Sequence, residues 1–254
     1  MSNTTLDYIR DVQVYQNKNG YRFSVDALLL YSFVNLKRVS KIADLGAGSG
    51  IIGLLLAKKY PSASIMLIEL QKSLAVLAKK NISLNDLEDR VNIANTDIKH
   101  LYSELEKSYV IHSQAGSYKS GLNESFDLVV SNPPFRKPKT GLLSEGDERA
   151  IARHELKLPL QDLIKAGSLL LKHHGRLCII HLPERLAEII DVMKRHGMEP
   201  KRLRFVHSNI SSEAKMVLIE AVKGGKTGLK TERPLFIYNE DGSYTEEMER
   251  LYAT

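Results

Sequence analysis

At 254 residues, 43% hydrophobic and 26% charged, the chain is long enough for one large α/β core or for two small ones. Its single cysteine, Cys178, excludes a disulfide framework within the chain, and neither a signal-like apolar stretch nor a run of 18 apolar residues is present; a soluble cytoplasmic protein is expected. The net charge of +6 is unevenly spread: residues 238–254 carry five acids against Arg250, a net of −4, which leaves +10 on residues 1–237 and favours a polyanionic partner.

The chain shows one Gly-rich nucleotide site and no internal repeat. The 40 residues before Lys41 are too few for a separate module. They are expected to form an extension packed on a core domain spanning 41–223. Residues 224–254 read as a tail that docks in part, through the apolar run Pro234-Leu235-Phe236-Ile237-Tyr238.

The first strand signal, Lys41-Ile42-Ala43, runs into Asp44-Leu45-Gly46-Ala47-Gly48-Ser49-Gly50 and an apolar helix from Ile51 to Tyr60. Strand, Gly-rich turn and helix together let a backbone approach a nucleotide closely. Gly48-Ser49-Gly50-Ile51-Ile52-Gly53 also satisfies the dinucleotide-binding pattern, with Glu69 as its ribose acid. Against a dehydrogenase stands Asp44, a carboxylate at the end of a buried strand that needs a partner. The cationic amine of S-adenosylmethionine would supply one.

Ser64–Glu69 reads as a second strand, Ser73–Asn85 as an amphipathic helix and Arg90–Asn95 as a third strand. Glu69 then offers acceptors to two ribose hydroxyls, and Asp97 offers one to an adenine amine. The fourth strand, Phe126-Asp127-Leu128-Val129-Val130-Ser131, is stopped by Asn132-Pro133-Pro134-Phe135, because proline cannot donate to a sheet ladder and restricts the residue before it. An ordinary Pro-Pro loop is the bland alternative. The functional one is a stiff elbow at a strand's C-terminal end, where open α/β sheets place ligands.

A helix over Leu158–Lys172 should end at His173-His174, followed by a strand over Gly175–His181, a helix over Leu186–Arg195 and strands near Pro200–Val206 and Ala214–Val222. The alternation predicts a doubly wound α/β fold with a mostly parallel, seven-stranded, Rossmann-like sheet. Its last two strands have no long helix between them and should pair antiparallel at one edge. The connections 99–123 and 136–155 are long. The second lies beside the elbow and carries Arg136, Lys137, Lys139, Arg149 and Arg153, candidates for the phosphates of a polyanionic partner. The eight histidines have no metal-ligand spacing, and no metal is assigned.

With these motifs in place, the chain resembles class I S-adenosylmethionine-dependent methyltransferases of the small-domain group that carry Asn-Pro-Pro-Phe/Tyr. Phe23-Ser24-Val25-Asp26 and Arg153-His154-Glu155 resemble segments of the bacterial tRNA1(Val) adenine-N6 methyltransferase family. The resemblance runs from about Tyr15 to Val222. It implies S-adenosyl-L-methionine as cofactor, held by Phe23, Asp44, Gly46, Gly48, Gly50, Glu69, Asp97, Ile98 and Asn132. Catalysis would fall to Asn132, Pro133, Pro134 and Phe135, and the substrate would be adenine N6 in RNA, most simply tRNA, met by a monomer. The same elbow serves guanine-N2 methyltransferases of ribosomal RNA and glutamine-N5 methyltransferases of release factors. A non-catalytic RNA-binding module on this fold is the third reading; intact glycines and an intact elbow argue against it.

Overall fold

The structure, a computed structural model, describes residues 4–17, 25–100, 124–133 and 159–253. In chain order these form β1 (Thr4–Ile9), β2 (Val12–Asn17), α1 (Val25–Phe33), β3 (Lys41–Leu45), α2 (Ile51–Lys59), β4 (Ser64–Glu69), α3 (Lys72–Leu84) and β5 (Val91–Asn95). Then follow β6 (Phe126–Ser131), α4 (Leu160–Leu170), β7 (Leu171–His181), α5 (Leu186–Arg195), β8 (Met198–His207), β9 (Ala214–Lys223), β10 (Lys230–Thr231), β11 (Leu235–Phe236) and α6 (Glu246–Tyr252).

Seven long strands make one sheet in the order β8-β9-β7-β6-β3-β4-β5, and the two-residue β10 and β11 pair with β8. Neighbours from β7 through β6, β3 and β4 to β5 are parallel. The reversed strand is β9, antiparallel to both β7 and β8 and one strand in from the edge. Residues 208–213 between β8 and β9 allow only a hairpin-like return, since a parallel crossover needs about a dozen residues or more. Successive strand residues enter opposite apolar layers. Ile42, Val130, Cys178 and Ile180 pack with α1 and α2 through Leu28–Leu30 and Leu54–Leu56. Ala43, Val129, Leu177 and Ile179 pack with α4 and α5 through Leu163, Ile164, Ile189 and Met193.

One boundary differs from the sequence reading. The helix ends at Leu170, and Leu171 already pairs with Phe126 of β6, so His173-His174 lie in a strand rather than at a helix terminus. The register between β6 and β7 shifts here, His174 takes φ +63°, and a Cβ on Gly175 would lie 2.9 Å from the Lys172 carbonyl oxygen. Burial of Leu171 draws the chain into the sheet, and the bulge absorbs the polar residues that follow.

The acidic tail is held by β8. β11 pairs with β8, Met248 of α6 is buried, and the Arg204 guanidinium donates to both Glu247 oxygens at 2.7 and 2.8 Å. Arg10, in the turn of the β1–β2 hairpin, donates to the Leu251 carbonyl at 2.9 Å, so the chain's two ends meet.

Among the buried charges, Glu220 of β9 is 2% exposed. It accepts from Arg176 of β7 and lies 3.4 Å from Arg202 of β8, which also donates to the Phe33 carbonyl and stacks 4.2 Å over the Phe33 ring. This network ties three strands to the end of α1. Removing the shared carboxylate takes Arg176's ion-pair partner and one of the two carboxylates beside Arg202, which keeps Glu232 at 3.5 Å and the Phe33 carbonyl, so Glu220→Ala should cost about 2 kcal/mol in denaturant unfolding. An unfolding curve superimposable on the parent's would show that the network adds nothing.

Candidate functional site

β3, β4, β5 and β6 run parallel, so Asp44, Glu69, Asn95 and Ser131 all arrive at one edge of the sheet. The turn after β3 places Gly46, Gly48 and Gly50 at φ +73°, +58° and +89°, where a side chain would be strained. The N–H groups of Gly46 and Ala47 donate to the Ile68 carbonyl at 2.9 and 3.1 Å. Gly53, one turn into α2, is required by packing: a Cβ there would lie 2.2 Å from Leu67 Cδ2. α2 can therefore lie close on β4.

Asp44 is fully buried beneath this turn. Its Oδ2 accepts from the Gly53 N–H at 3.1 Å, and its Oδ1 has no hydrogen-bond partner among the described residues. Burial pushes its pKa up to about 7; the Gly53 bond opposes the shift and the charge of Glu69 adds to it. Glu69 is 5% exposed and uses both oxygens locally, Oε2 accepting from Gly48 N–H at 2.9 Å and Oε1 from Gln71 N–H at 2.7 Å. It thus fastens the turn to the start of α3 while each oxygen keeps a further acceptor position. Asp97 Oδ1 accepts from Lys99 N–H at 2.8 Å, and Ile98 is buried beside it.

The elbow begins where β6 ends. Ser131, buried, donates from Oγ to the Leu45 carbonyl at 2.6 Å, which locks the elbow to the residue before Gly46. Asn132 is half-buried and Pro133 buried. At the end of neighbouring β7, His181 is buried with its Nδ1 accepting from Leu182 N–H at 2.7 Å. Burial and the charge of Arg185 push its pKa down to about 4, so the ring is neutral with its proton on Nε2. Of the other residues expected at this site, Phe23, Pro134, Phe135, Arg136, Lys137, Lys139, Arg149 and Arg153 lie outside the described residues. Ser131, Gly53 and His181 were not among the expected ones. Gly53 was visible in the glycine spacing; the other two have no sequence signal.

The methyltransferase small domain family matches residues 22–113. A tRNA1(Val) (adenine(37)-N6)-methyltransferase from Porphyromonas gingivalis is 37% identical over 177 residues, 70% of this chain and 63% of that protein, so this match spans less than two thirds of the relative. Its counterpart from a second strain is 32% identical over 221 residues, covering 85% of this chain and 80% of the relative. The chain belongs to this family. It is an S-adenosylmethionine-dependent methyltransferase. Among solved structures, a protein described as a predicted O-methyltransferase from Agrobacterium tumefaciens shares the fold with a TM-score of 0.65 at 24% identity, over 90% of this chain and 99% of that one. A SAM-dependent methyltransferase from Aquifex aeolicus does so with a TM-score of 0.51 at 16% identity, over 78% and 89%.

The residues present fit the methyltransferase cofactor. A buried carboxylate with one orphaned oxygen is costly alone and suits a cationic amine. Pairing needs the ionised form, and Asp44 holds its proton below pH 7 or so. Cofactor affinity should therefore rise as pH increases from 6 to 8, by up to about tenfold per unit below the pKa. Asp44→Asn should bind weakly and lose most of that pH dependence. Parallel pH profiles for parent and variant in titration calorimetry would remove Asp44 from the cofactor site. The same raised pKa makes the cofactor-free fold lose stability as pH rises from about 4 through 7, and Asp44→Asn should not share that loss.

Proposed function

We propose that this methyltransferase modifies the exocyclic N6 amine of an adenine in tRNA, as a monomer in the cytoplasm. The observation that carries the reading is the junction between turn and elbow: β6 neighbours β3, and the Ser131 hydroxyl joins the two strand ends. A group held by the turn and a base held by Asn132 then share one end of the sheet. The activity for which the relatives are named supports the adenine of tRNA over guanine or a protein glutamine.

When bound, S-adenosylmethionine supplies an electrophilic methyl on a sulfonium centre. The chain's task is to present a nitrogen whose lone pair is otherwise delocalised into the base. The Asn132 side-chain oxygen and the Pro133 carbonyl accept the two N–H groups of the amine and favour a more pyramidal nitrogen. They also stabilise the positive charge that develops there. Phe135 stacks on the base, a contact worth about 1–3 kcal/mol. Positioning supplies much of the acceleration, and no strong general base is needed because the alkylated nitrogen sheds its proton readily. Arg136, Lys137, Lys139, Arg149 and Arg153 meet the phosphates that flank the base.

The direct test is tRNA from a strain lacking the protein, incubated with purified enzyme and methyl-labelled cofactor and digested to nucleosides. N6-methyladenosine is the expected product. Labelled N2-methylguanosine, or label in release factor instead of RNA, would overturn the assignment. Asn132→Ala should lower kcat by about 100-fold or more while cofactor affinity holds; near-normal turnover would make the elbow structural. Replacing Arg136, Lys137 and Lys139 by alanine should reduce the salt dependence of RNA binding by up to about two to three units of slope. An unchanged slope would assign these cations to solubility alone.

A further inference from the structure

The hairpin of β1 and β2 lies far in sequence from the Gly-rich turn, yet one side chain touches both. Asn81, in the last turn of α3, and Asn85, its C-cap, stand four residues apart, about 6 Å along the helix axis. Alternate residues of a strand are separated by about 6.7 Å. The two spacings match closely enough for two asparagine amides to serve as the missing neighbour strand of β2. Asn81 Oδ1 accepts from Tyr15 N–H at 2.7 Å and its Nδ2 donates to the Tyr15 carbonyl at 3.1 Å. Asn85 repeats the pattern on Gln13, at 2.9 and 2.7 Å.

The two asparagines differ in their remaining bond. Asn85 donates to the Asn81 carbonyl of its own helix at 2.7 Å. Asn81, fully buried, donates to the Ser49 carbonyl at 2.9 Å. The peptide group between Ser49 and Gly50 is then fixed at both ends, because Gly50 N–H donates to the Ala47 carbonyl at 2.9 Å. Two peptides earlier, the Gly48 N–H is held by Glu69.

We infer that Asn81 is a positioning residue for cofactor binding, through which the N-terminal hairpin holds the Ser49–Gly50 peptide in its binding orientation. The inference rests on the turn being the cofactor site. Its consequence is a division of labour that stability alone would not produce: Asn81 and Asn85 anchor the hairpin equally, and only Asn81 sets the turn.

Asn81→Ala and Asn85→Ala test this, with thermal unfolding, cofactor Kd by calorimetry and kcat at saturating cofactor measured on each full-length protein. Both variants should lose similar thermal stability. Asn81→Ala should raise the Kd for S-adenosylmethionine at least tenfold with kcat within about threefold of the parent, and Asn85→Ala should leave Kd within twofold. Asn81→Ser, whose short hydroxyl can bond within its own helix and does not span to both Tyr15 and Ser49, should reproduce the Kd effect and serves if the alanine variant does not fold. A parent-like Kd in the Asn81 variants, or equal Kd losses at both positions, would overturn the inference while the parent still binds cofactor. A parent protein that binds no S-adenosylmethionine would instead overturn the functional reading beneath it.

Discussion

The site depends on the Glu69 carboxylate accepting two backbone N–H groups, from Gly48 and from Gln71. A turn whose glycines take left-handed φ has no side chains to shield its peptide groups, and each unpaired N–H would cost about 1–3 kcal/mol if buried. Glu69 meets that need for one peptide, Ile68 for two, and the Asn81 amide meets the reverse need of a carbonyl. Strand β4 and helix α3 therefore both hold the turn. The acid that sequence patterning assigns to a ribose is also a structural fastener, and substituting it changes both roles at once.

Asp44 works in the opposite sense. Its burial raises the cost of the charged form, and the Gly53 N–H offsets only part of it. Alone, this residue favours its neutral state near pH 7; beside a cation it favours the ionised one. Perturbed carboxylates of this kind collect at functional sites, where local instability is relieved by a ligand. Gly53 serves both ends of the arrangement, since its missing side chain lets α2 close on Leu67 while its N–H reaches Asp44. The joint at Ser131 then carries this order across to the elbow, so that no loop has to align the two half-sites.

How much could be read in advance follows from the range of each interaction. The Gly-rich turn, the carboxylate at the end of β4 and the stop of β6 before Asn132 are encoded within short windows, by glycine, carboxylate and proline at strand ends, and those positions were legible; the ribose and base contacts assigned to them belong to the proposal. The succession of strands and helices from β3 to β7 and their parallel pairing followed from alternation. The extended segment after Leu170 did not, because a run of Leu-Leu-Leu-Lys-His-His suits a helix as well as a strand, and only pairing with Phe126 decides it. The hairpin was missed although its pairing is local and Val12 and Val14 alternate with polar neighbours; its docking on α3 had no local signal, since its partner asparagines lie 66 and 72 positions away. Glu220 likewise reads as an isolated acid in an apolar strand until Arg176 and Arg202 arrive from the strands on either side.

The central claim is that the turn after β3 and the elbow after β6 form one site for methyl transfer. A crystal structure with S-adenosylhomocysteine bound tests it most directly. The account predicts ribose hydroxyls on the Glu69 carboxylate, the amine toward Asp44 and the sulfur facing Asn132. A nucleoside bound away from the Gly46–Gly50 turn, or a sulfur directed away from the elbow, would contradict it.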